Sequence, residues 1–123
     1  MGQAYYALGE VTTHENEGLA LEDEEKVTLV RDLGPTSKVM MLQNHGCITL
    51  GLTVAEAFSK MYFLVRACQQ QVKAGPNYKV PQKNVQKLAQ EQSDGFNVEG
   101  FGDLEFAYLQ RKLERICGTE YKK

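Results

Sequence analysis

Val39-Met-Met-Leu-Gln-Asn-His-Gly-Cys-Ile-Thr-Leu-Gly51 holds the chain's most informative pattern. Two short apolar runs, Lys38–Leu42 and Cys47–Leu50, flank the polar knot Asn44-His45-Gly46. Such runs, bounded by turn residues, read as two strands joined by a hairpin turn. One of only two histidines in 123 residues therefore sits at a strand–turn–strand junction. The residues alone make His45 a turn histidine beside a left-handed Gly46.

Outward from the hairpin, Thr53 and Glu56 form a [ST]-x-x-E box that opens a helix. Val54, Phe58, Met61, Val65, Cys68 and Val72 then recur at spacings of 4, 3, 4, 3 and 4 up to about Lys73. That period makes an apolar stripe, with Phe58, Met61, Tyr62 and Phe63 expected in the core and Cys68 buried and inert. Upstream, Gly9–Thr13 suits a short strand and Leu21–Leu33 a helix. The acid-rich start of that helix, Glu22–Glu25, complements the macrodipole. Its apolar face is Val27, Val30 and Leu33, and Gly34-Pro35 ends it. Downstream, Ala74–Asn77 breaks the long helix, Pro81–Gln92 is weakly helical, and Ser93–Gly102 is a Gly-punctuated loop. Asp103 opens a last helix carrying Phe106, Leu109, Leu113 and Ile116 and ending at Gly118. The order is that of a mixed α/β layer protein.

Composition narrows the function classes. The chain has 42% hydrophobic and 24% charged residues and a formal net charge of −2, which gives no electrostatic reason to expect a nucleic-acid partner. Cys47, Cys68 and Cys117 are an odd number without CxxC spacing, which points to reduced thiols in the cytoplasm. No apolar run reaches the roughly 18 residues of a transmembrane segment. Met1-Gly2 starts a myristoylation pattern that fails at Tyr6, where Ser or Thr is required.

Catalytic groups are sparse. Zinc catalysis calls for three protein ligands and an open position, and no H-x-H or H-E-x-x-H pair is present. His14 is expected to be an exposed loop residue. Ser37, Ser59 and Ser93 lack a nucleophile elbow. Gly9, Gly18, Gly46 and Gly51 form no phosphate-binding loop. Lys79, Lys83 and Lys87 read as a solvated face. No catalytic residue is assigned.

Leu33–Cys68, LGPTSKVMMLQNHGCITLGLTVAEAFSKMYFLVRAC, closely resembles the class II aldolase/adducin family. There a strand ends in N-H-G, a second strand follows, and a helix opens with T-V/L-x-E-A-F. Leu8-Gly9-Glu10-Val11, Leu21–Val27 and Phe101–Phe106 resemble the adducin branch. The resemblance is continuous from about Leu8 to Cys68 and looser afterwards.

It implies a partial class II aldolase-like α/β/α layered domain, a β-sheet flanked by helices. One incomplete head domain would span 1–123, with its best-matched core at 8–73, a loop-rich segment at 74–102 and a C-terminal helix at 103–118. Family aldolases hold zinc through three histidines, of which only His45 is matched; the H-x-H pair and the acid/base glutamate would lie before Met1. The expectation is a non-catalytic adducin-like head segment without a cofactor. It would be cytoplasmic or associated with the membrane skeleton, in homo- or hetero-oligomers with adducin-type chains, with actin or spectrin as further partners. The alternative is the truncated C-terminal half of a zinc-dependent aldolase or epimerase acting on a small sugar phosphate.

Overall fold

A computed structural model describes residues 8–18, 23–76, 78–94 and 99–122. Strand β1 (Val11–His14) is followed by helix α1 (Asp23–Leu33), strands β2 (Val39–Leu42) and β3 (Gly46–Thr49), and the long helix α2 (Val54–Ala74). Two further helices, α3 (Lys83–Asp94) and α4 (Asp103–Cys117), and a 3₁₀ turn at Glu120–Lys122 complete the order. Among the described residues the sheet has three strands in the order β1-β2-β3. The β1–β2 pair is parallel, with Val11 opposite Val39 and His14 opposite Leu42. The β2–β3 pair is an antiparallel hairpin, with Val39 opposite Thr49 and Leu42 opposite Gly46.

Period-2 alternation assigns the two faces. Val39 and Leu8 form a buried cluster with Leu64 of α2, and Val11, Met41, Cys47, Phe63 and Cys68 pack around it. Thr49 on that same face donates its hydroxyl to the Ala57 carbonyl at 2.9 Å. The opposite face carries His14, whose ring meets Asp32 of α1, together with Met40, which is only 1% exposed. One helix thus covers each face of the sheet, the α/β/α layering implied by the resemblance.

The hairpin closes tightly. The His45 amide donates to the Leu42 carbonyl at 3.2 Å, and Asn44 takes the left-handed conformation at φ 57°. Asn44, not Gly46, is therefore the left-handed residue of the turn. Asn tolerates that region because its short polar side chain can bond locally. At the other end of β3, Thr53 caps α2 by accepting the Glu56 amide at 3.1 Å. The Glu56 carboxylate reaches back to the Leu52 amide at 2.7 Å, one residue further out than in the standard capping box.

Helix faces depart from the sequence expectation. Val27 and Val30 of α1 are 71% and 70% exposed; Leu29, Asp32 and Leu33 turn partly inward instead. On α2 the buried positions are Ala55, Ser59, Lys60 and Leu64, while Val54, Phe58, Tyr62, Val65 and Val72 remain exposed. The reason is geometric. A helix lying on a three-stranded sheet buries only the arc facing it, and small residues sit where the approach is closest. Gly102, at φ 83°, lies against Ser59 and Ala55. A Cβ there would fall 2.8 Å from the Ala55 carbonyl oxygen, so the start of α4 presses directly on α2.

Candidate functional site

The carboxyl ends of the parallel strands β1 and β2 lie side by side, where open α/β sheets place their ligands. His14 ends β1. The chain then turns through Glu15–Gly18, with the Gly18 amide donating to the Asn16 side chain at 2.8 Å. Thr28 of α1 ties this loop down by donating to the Glu17 carboxylate at 2.8 Å. Across from it, β2 runs into the hairpin turn, and the Gln43 amide donates to the His14 carbonyl at 3.0 Å. Between loop and turn lies a small cleft lined by His14, Glu15, Glu17, Leu42, Gln43 and His45, among others. Its volume of about 10 Å³ is the size of a single water molecule or bare ion.

His14 is not the exposed loop residue that the sequence suggests; it is 3% exposed. Strand β1 runs through residue 14, and alternation turns that side chain onto the face covered by α1. Its Nδ1 lies 2.8 Å from Oδ2 of Asp32, while Oδ1 of Asp32 accepts from Arg31 Nε at 2.7 Å. The Arg31 guanidinium first, and His14 second, hold the Asp32 carboxyl down to about 2. Asp32 is therefore an anion near neutrality, and Nδ1 of His14 donates to it. The other nitrogen, Nε2, is buried with no hydrogen-bond partner.

His45 lies exposed on the turn at the opposite side of the cleft. The structure thus brings together two histidines that stand thirty-one positions apart in sequence. The signals that could have found His14 are the alternating Val11-Thr-Thr-His14 run and an acidic residue, Asp32, on the inward arc of α1.

Cys47 faces the other side of the sheet, its Sγ 3.5 Å from Sδ of Met61. Burial, and then the neighbouring Cys68, push the Cys47 thiol up, which makes it a packing residue. All three cysteines are free thiols. Ser37 is structural: its hydroxyl lies 2.9 Å from the carbonyl oxygens of Glu10 and Val39 and fastens β1 to β2. Lys60, buried in α2, pairs with Glu56 and sits 5.7 Å from the Phe101 ring centroid.

A second concavity opens between α2 and α4. It measures about 570 Å³ and is lined by Phe58, Tyr62, Phe63, Phe101, Leu104 and Tyr108, among others. Beside it, Phe58 of α2 and Phe106 of α4 meet edge to face, with ring centroids 5.5 Å apart.

The family profile described as the class II aldolase and adducin N-terminal domain matches residues 1–72. The chain belongs to the class II aldolase and adducin family. Rat alpha-adducin is 35% identical over 89% of this chain, which corresponds to 17% of the adducin. A Caulobacter vibrioides protein assigned to aldolase class 2 is 37% identical over 88% of the chain and 43% of its own length. A crystal structure of an aldolase II superfamily protein from Pseudomonas syringae superposes with a TM-score of 0.86 at 34% identity, covering 99% of this chain and 50% of that one. The chain spans half or less of the length of these relatives.

Within the family frame, the three-histidine zinc set does not fit this chain. It carries two histidines in all, and among the described residues no three His, Cys, Asp or Glu side chains are grouped to hold a metal ion. None of the described helices is long and apolar enough to cross a membrane.

Proposed function

We propose that the chain is a non-catalytic, adducin-like head segment that works by associating with other adducin-type chains, in a cytoplasmic assembly of the spectrin–actin membrane skeleton. The observation that carries this reading is its similarity to alpha-adducin along 89% of its length. The open aromatic groove between α2 and α4 supports it, because a contiguous apolar surface of this kind is characteristic of interaction sites.

Sedimentation of the purified chain, alone and with spectrin and actin filaments, tests the reading. A self-associated species that co-pellets with the filaments is the expected result. A strictly monomeric chain that stays in the supernatant would overturn it.

A second reading, the C-terminal half of a zinc-dependent family aldolase or epimerase acting on a small sugar phosphate, draws on one specific observation: His45 faces a cleft at the carboxyl ends of β1 and β2. Sequencing the gene upstream of Met1 decides it. An H-x-H strand preceded by a glutamate would supply the missing ligands and the acid/base.

A further inference from the structure

We infer that the chain pairs with a second copy of itself through the groove side of α4, the two α4 helices lying antiparallel about a two-fold axis. This pairing rests on the self-association proposed above and assigns it to one surface.

The groove marks the uncovered arc of α4. Leu104, Glu105, Tyr108 and Leu109 line it, while Phe106, on another arc, meets Phe58 of α2. At 3.6 residues per turn, Lys112, Arg115 and Ile116 continue the uncovered arc toward the end of the helix. Leu104 is 83% and Ile116 70% exposed, and Glu105, Lys112 and Arg115 are exposed with them. Glu114, the remaining acid of that half, pairs with Lys122.

The arc is complementary to itself. With two α4 helices antiparallel and level at Gln110, Leu104 comes opposite Ile116 of the second copy. Glu105 then comes opposite Arg115 of the second copy, and Tyr108 opposite Lys112 of the second copy. Apolar side chains meet apolar ones, a carboxylate meets a guanidinium, and an ammonium meets an aromatic ring. Two-fold symmetry makes each of these contacts twice. The helix macrodipole accounts for an acid in the first turn and a base in the last. It does not require them to share an arc with Leu104 and Ile116, or to stand equally far from the middle of the helix.

The area suffices for a stable dimer. Phe58, Tyr62 and Tyr108 are 44%, 53% and 51% exposed, which leaves about 100 Å² on each to be covered. Leu104, Leu109, Ile116 and the three charged side chains bring the face to about 800 Å², each partner's share of a standard interface. A helix from an unrelated protein would have to supply the matching pattern. A second copy already carries it.

Sedimentation equilibrium of the full chain tests the pairing, using the wild type, Glu105→Arg and Arg115→Glu. The wild type should show a concentration-dependent monomer–dimer equilibrium. Each single reversal sets like charges opposite each other at both symmetric contacts and should weaken the dimer by about 10-fold or more. An equimolar mixture of the two variants should recover it, because an arginine then meets a glutamate at both contacts. Both positions are exposed, and unchanged circular dichroism checks that each variant keeps its fold. A wild-type dimer indifferent to both reversals overturns the α4 pairing, leaves self-association standing and frees this face for a different partner. Weakening without recovery in the mixture also overturns the pairing, since the loss then arises within the monomer. A wild type that stays monomeric overturns the pairing and the self-association reading together.

Discussion

The two sides of α2 are built differently. Toward the sheet, β2 is sealed: Val39 and Met40 are almost wholly buried, strand positions alternate between two helices, and Ser37 bonds β1 to β2. Toward α4, the same helix leaves Phe58 and Tyr62 about half exposed, and Leu104 opposite them is 83% exposed. Gly102 lets the start of α4 press on α2, and the groove opens beside that contact. The sheet side is closely packed; the α4 side leaves an open apolar groove.

The largest effect that would break this comparison is expected at Met40. Met40→Ala should cost about 2–5 kcal/mol by leaving a cavity at a fully buried position of β2, read as a fall in the denaturant midpoint. A cost below about 1 kcal/mol would mean that the sheet side is no better sealed than the groove.

An intermediate effect is confined to acid and reports on the junction where β3 enters α2. Burial alone would push the Glu56 carboxyl up, but Lys60, the Leu52 amide and Lys38 together hold it at about 2. A carboxyl depressed in the folded state contributes stability that is fully present above its unfolded pKa of roughly 4.3. That stability is lost as pH falls from there toward 2. Thermal midpoints should drop over this window, and Glu56→Gln should flatten the profile while lowering stability at pH 7. Parallel profiles for the two proteins would remove Glu56 from the account.

The smallest effect is expected in the groove. Leu104→Ser should change the stability of the isolated chain by less than about 0.5 kcal/mol, as exposed substitutions do, while weakening self-association in sedimentation. A large loss of monomer stability would show that Leu104 belongs to a core after all.

Much of the fold was legible locally. Capping at Thr53, the breaks at Gly34, Gly75 and Gly118, and the strand–turn–strand of Val39–Thr49 all rest on short-range chemistry, and each lies within a residue or two of its expected place. The helix faces were less legible. A stripe at 3.6-residue spacing says that a helix has an apolar side, not how much of it a small sheet can cover. Val27, Val30 and Val72 are exposed.

The candidate site divides in the same way. His45 could be singled out in the sequence because turn chemistry and the N-H-G pattern converge on it. His14 could not, because its importance depends on where β1 ends, on which face residue 14 takes, and on an Asp thirty-two residues into the chain. By itself the sequence determined the elements, the hairpin and the family pattern, since these follow from local propensity and periodicity. Only the tertiary structure decided that the parallel pairing of β1 with β2 brings both histidines to one cleft. Pairing between distant strands is set by packing of the whole layer, and no local pattern encodes it.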